Sequence, residues 1–196
     1  MIMKRVALVG LVLIPLVSGC AAETPEAPAT TTSTTLAAPK APTPLPGSTP
    51  PGTRLRFGDK AVITVGRADN PSRVGVIVTG VDKAPPADMA VLRQYPQVNR
   101  WAYFIRVILV NEDGHGSYSG YSGPTLYGDL GDGGDAGQFQ LLGADLHLPH
   151  CTVHSSPPGE WSAAGARFET CRIIFANPSS VRLDPGHEDG GIHWEE

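Results

Sequence analysis

Residues 101–111, WAYFIRVILVN, carry the pattern that decides the fold. Trp101, Tyr103, Ile105, Val107 and Leu109 alternate with Ala102, Phe104, Ile108 and Val110, and Arg106 is the one charge between them. A period of two puts the odd positions on one face of a strand and the even positions on the other. A helix would bury the same run. Four β-branched and three aromatic residues favour the pleated form, and Asn111-Glu112-Asp113-Gly114 makes a turn. Apolar residues on both faces predict a central strand covered from two sides.

Working outward, residues 59–67 and 74–81 read as strands about a turn at 68–72, with Val74, Val76 and Val78 alternating. Residues 123–130, 138–142, 167–176 and 180–183 are further candidate strands between Gly, Pro and Asp clusters. Residues 86–94 are the one candidate helix, held to two turns by Pro85, Pro86 and Pro96. Short strands joined by Gly/Pro-rich turns predict an all-β, immunoglobulin-like β-sandwich over residues 58–196, and no fixed-period repeat points to a solenoid.

The residues before the domain differ in kind. Lys4 and Arg5 precede an uncharged apolar run, residues 6–17, too short to span a bilayer and interrupted by Pro15. Val17-Ser18-Gly19-Cys20 follows. It resembles the bacterial lipobox, which implies a signal peptide over residues 1–19 and a diacylglycerol on the Cys20 thiol. An ordinary cleaved signal and an uncleaved anchor are the alternatives, and the lipid anchor is preferred. One acyl chain binds a membrane reversibly, whereas two or three hold stably. Residues 20–57 are rich in Thr, Pro and Ala, bury too little to offset chain entropy, and are expected to form a disordered tether. Residues 30–35 supply threonine hydroxyls of the kind that carry O-linked sugars in such stalks.

Without Lys4 and Arg5, 13 basic residues face 19 acidic ones, a net charge of −6. That balance lacks the positive field that grips phosphate backbones and sets nucleic acid aside as a partner. With Cys20 assigned to lipid, Cys151 and Cys171 are left as a pair in an oxidising compartment. A disulfide is preferred over two buried thiols.

The order of these segments resembles a family. A Val-rich strand is followed by a long strand ending in Asn111, a Gly-rich stretch, and G-x-x-F-x-T-C-x-I-x-F-x-x-P over residues 165–178. Secreted and lipid-anchored bacterial domains of unknown function, of actinobacterial type and with a telokin-like or immunoglobulin-like sandwich, show F-V-V-V-x-V-x-V-x-N and later P-G-x-x-x-x-G-x-V-x-F-x-V-P. Phe104 through Asn111 match the first motif; Pro158, Gly159, Gly165, Phe168, Phe175 and Pro178 match the second. The resemblance implies a fold and an extracytoplasmic setting at the cell membrane, and no chemistry.

Three constellations bear on function. Asp129, Asp132 and Asp135 stand three residues apart among glycines. Calcium takes six to eight oxygens, but the EF-hand order is absent and a solvated turn uses the same residues, so the turn is preferred. His147, His150 and His154 surround Cys151, where Pro149 and a strand setting break the helical alignment that a transition-metal site would use. Residues 115–124 lack the Gly that a nucleophile elbow needs where Pro124 stands, and the zincin and P-loop motifs are missing. Catalysis is therefore not expected, and no cofactor is implied.

The remaining candidate is a binding loop over residues 111–135. Tyr118 and Tyr121 among Gly and Ser have the composition of adaptable recognition loops. The expected protein is a membrane-anchored, non-catalytic binding or structural module, with an envelope protein or a glycan as candidate partner. A calcium-type module using the Asp/Gly loop and an envelope hydrolase are the alternatives.

Overall fold

The computed structural model describes residues 43–115, 124–139, 144–157, 159–184 and 190–196. Cys20 and the greater part of the expected tether lie outside them, as do Tyr118, Tyr121 and Pro158.

The described chain is built of β1 (Arg54–Arg56), β2 (Lys60–Arg67), β3 (Asn70–Lys83), α1 (Pro86–Leu92), β4 (Tyr103–Asn111), β5 (Leu126–Asp129), β6 (Gln138–Phe139), β7 (Leu146–Leu148), β8 (Cys151–Val153), a 3-10 turn (Gly159–Ser162), β9 (Arg167–Ile174), β10 (Ser180–Leu183) and β11 (Ile192–Glu195). A five-stranded sheet runs β2-β3-β4-β9-β6, a four-stranded sheet runs β1-β11-β10-β5, and β7 and β8 form a hairpin. Within the larger sheet every pairing is antiparallel. The fold is the expected all-β sandwich, two sheets packed on a shared core.

The alternation of residues 103–109 places β4 at the centre. Ile105, Val107 and Leu109 join Val74, Val76 and Val78 of β3 against Leu126, Val181, Leu183, Ile192 and Trp194 of the other sheet. Phe104 points the opposite way, into a second core with Met89 and Leu92 of α1, Leu146 and Leu148 of β7, and Ile173. Each fully buried side chain of this size contributes about 1.5–3 kcal/mol. The second core covers one end of the outer face and leaves Arg106 and Ile108, the next even positions, half-buried.

Three expectations need correction. Trp101 precedes β4 and is exposed, with its indole N–H donated to the Ala84 carbonyl at 2.9 Å. The turn expected over 68–72 is a tight two-residue hairpin closed by the Arg67–Asn70 pair. Gly66 has φ +94° there, and a Cβ would lie 2.8 Å from the Asn70 carbonyl oxygen.

The third concerns residues 43–57, which composition alone places in the tether. Thr49 N–H donates to the Val62 carbonyl and its hydroxyl accepts from the Val62 N–H, while Leu45 N–H donates to the Thr64 hydroxyl. Beyond them, β1 pairs in parallel with β11. Pro-rich chain suits a sheet edge because hydroxyls and the remaining amides make the bonds that prolines lack.

Candidate functional site

The long strand β3 and β4 lose register between Val78 and Gly80, so Thr79 is an extra residue on one strand. Such a bulge bends the strand and re-aims its side chains. Beside it, Arg106 pairs across β4–β9 with Cys171, and Ile108 pairs with Glu169. The outward side of this patch is flanked by the β7–β8 hairpin, whose turn is Pro149-His150. Together they line an open cleft of about 530 Å3, with Thr79, Arg106, Ile108 and Glu169 from the sheet and His150, Thr152 and His154 from the hairpin.

What holds the hairpin is visible in its contacts. Cys151 and Cys171 are joined by a disulfide with a Cα–Cα distance of 5.9 Å, so β8 is tied to β9. Asp88 of α1 is wholly buried. Its two oxygens meet the His150 N–H at 3.1 Å and His150 Nδ1 at 2.9 Å. The Arg106 guanidinium donates to the His150 carbonyl oxygen and to Asp82 Oδ2, the latter at 3.0 Å. Thr170 donates its hydroxyl proton to the Thr152 carbonyl at 3.2 Å.

At the base of the hairpin Asp145 accepts the Ser155 N–H at 2.7 Å and the Ser155 hydroxyl at 2.8 Å, with His154 Nδ1 at 3.1 Å. The Ser155 bonds hold the Asp145 carboxyl below its ordinary range, against the opposing effect of burial.

Chemically, the cleft lining brings together one guanidinium, two imidazoles, a carboxylate and threonine hydroxyls beside Val107, Ile108 and Leu148. Asp88 fixes the His150 ring in the manner of an orienting carboxylate. Among the described residues the cleft lining contains no serine, and both of its cysteines are bridged.

The three aspartates singled out in the sequence go elsewhere. Asp129 sits on the outer face of the four-stranded sheet, bonded to Arg182 Nε at 3.0 Å and 3.3 Å from His193 Nδ1. Arg182 also lies over the Tyr127 ring at 4.9 Å, so Tyr127 faces outward rather than into the core. Burial is the largest single influence on Arg182 and works against its charge, but the bond to Asp129 and the charges of Asp129, Asp184 and Asp135 together raise its pKa. Asp132 and Asp135 each accept a backbone N–H two residues on, from Gly134 and Gly137. Among the described residues, no three such side chains are grouped as metal ligands. His147 packs against His154 ring to edge at 6.3 Å, and His150 turns to Asp88 instead.

Asn111, which ends the long-strand motif, has a structural part. Wholly buried, it donates to the Trp161 carbonyl and accepts the Gly114 N–H at 2.9 Å, closing the turn after β4 onto the 3-10 turn. Asp113 beside it accepts the Arg73 N–H at 2.7 Å and the Ser72 hydroxyl at 2.9 Å. Burial is the largest single influence and raises its pKa, and these bonds together with the His115 N–H bond and the neighbouring His115 ring lower it by more.

The cleft was not foreseen in the sequence. Arg106, the lone charge in an apolar run, was the residue that could have pointed to it.

No protein-family model matches the chain, and no curated protein matches it significantly. Among solved structures, the chain is similar to MPT63, a secreted protein from Mycobacterium tuberculosis. That likeness has a TM-score of 0.46 and 16% sequence identity, and covers 76% of this chain and all of the other.

Proposed function

We propose that the protein is an extracytoplasmic lipoprotein, anchored through Cys20, that presents its sandwich as a non-catalytic binding or structural module in the cell envelope. The observation that carries this reading is the Cys151–Cys171 bridge. Disulfides persist in oxidising compartments, which agrees with the export-type N-terminus, and Cys20 is the remaining cysteine of three. The lipobox-like residues then give that thiol its use, and the telokin-like motifs belong to the same reading. Two surfaces serve recognition: the cleft beside the bridge, and the loop over residues 111–135 with Tyr118 and Tyr121.

The test is intact-mass analysis of the envelope fraction. A mature chain beginning at Cys20 with added acyl mass is expected, together with an unprocessed precursor for Cys20→Ala. A mature N-terminus elsewhere, or no acyl mass, would overturn the anchor.

A further inference from the structure

In a chain whose net charge is −4, the segment from Lys83 to Arg106 stands apart. It holds Lys83, Arg93, Arg100 and Arg106 against one carboxylate, Asp88. Asp88 is wholly buried and faces His150, and Arg106 is taken by Asp82. The exposed cations Lys83, Arg93 and Arg100 are left with no carboxylate among the described ion pairs.

Lys83 and Arg93 lie against Trp101, the exposed large hydrophobic residue of the described chain, at 36%, and Arg100 precedes it in sequence. Its indole N–H is fixed to the Ala84 carbonyl at 2.9 Å. The Lys83 ammonium lies 4.8 Å and the Arg93 guanidinium 5.8 Å from the centre of the ring. Cation–π attraction holds both charges near a rigid ring instead of leaving them to swing freely. The same connection exposes the amides of Gln94, Gln97 and Asn99.

We propose that this Lys83–Arg93–Arg100–Trp101 surface binds an acidic polysaccharide, the cations meeting its acidic groups and the amides its hydroxyls. The proposal rests on the reading of the protein as an envelope binding module and names the class of ligand. A protein partner would call for a larger apolar centre than one ring supplies.

A lipid surface carries negative charge without the hydroxyls that the amides of Gln94, Gln97 and Asn99 would meet, and it is the competing outcome of the test.

The experiment uses the full-length chain carrying Cys20→Ser in every arm, so that acyl chains contribute nothing. Its outcome is thereby separate from that of the lipidation test. Binding to polygalacturonate, to neutral dextran and to phosphatidylglycerol vesicles is measured at low and at physiological salt. Lys83→Gln/Arg93→Gln/Arg100→Gln is compared with the charge-matched Arg54→Gln/Arg56→Gln/Lys60→Gln, all six being exposed. Expected are salt-sensitive binding to polygalacturonate and none to dextran, with at least a tenfold loss in the first triple and under about twofold in the second. Equal losses in both triples, no binding to the polymer, or vesicle binding that exceeds polymer binding and vanishes in the first triple would each overturn the proposal.

Discussion

Replacing Cys151 and Cys171 together by alanine isolates what the bridge contributes. The two residues are 20 apart in sequence. Cross-linking over that interval removes about 11 cal/mol/K of chain entropy from the unfolded state in the loop-closure model, or about 3 kcal/mol at 25 °C. Both cysteines are buried, at 4% and 1% exposure, so loss of packed sulfur adds to the cost. The hairpin keeps its other attachments: Asp88 to His150, Arg106 to the His150 carbonyl, Thr170 to Thr152, and Leu146 and Leu148 in the second core. The native structure should therefore survive, with the loss falling mainly on the unfolded side. For a domain of this length the melting temperature should drop by roughly 6–12 °C. Urea unfolding read by tryptophan fluorescence gives the free energy, and amide exchange of residues 146–153 reports whether the hairpin stays docked. A loss under about 1 kcal/mol would refute the loop-entropy argument. A hairpin that exchanges freely under native conditions would refute the claim that the other contacts hold it.

Acidification should weaken the same hairpin. The folded pKa of Asp145 lies below its ordinary value, chiefly through the Ser155 bonds. Its contribution is thus present above about pH 4 and lost as pH falls through the folded pKa. Asp145→Asn should flatten the fall of melting temperature below pH 4 in part, Asp113 remaining to supply acid sensitivity of the same sign; identical slopes in variant and parent would disprove it. Gly128→Ala should cost about 1–3 kcal/mol by overpacking, since a Cβ there would sit 2.9 Å from Ile174 Cδ1, 3.0 Å from Ala136 Cβ and 3.1 Å from Pro178 Cβ. Thermal unfolding checks it, and an unchanged midpoint would mean that β5 moves away freely.

Much of the sandwich was legible from residues 101–111, because alternation along one strand is a property of adjacent residues and requires no partner. Both faces of β4 were readable in this way, and residues 180–183 and the short helix follow from the same local signals. The cysteine pair was legible by count. The tertiary structure decided what depends on distant partners. Residues 43–53 read as entropy-dominated chain until β2 and β11 present an edge to receive them. β11 is four residues long, and His193-Trp194 becomes a strand through its neighbours β1 and β10. The cleft joins Thr79, Arg106, His150 and Glu169 from four separate segments, and no spacing in the chain encodes that meeting. Asp129 was read as one of three aspartates on a turn, yet its partners Arg182 and His193 arrive from β10 and β11. Local pattern sets which faces are apolar; which distant groups come to rest beside a given side chain is set by the packing of one sheet on another.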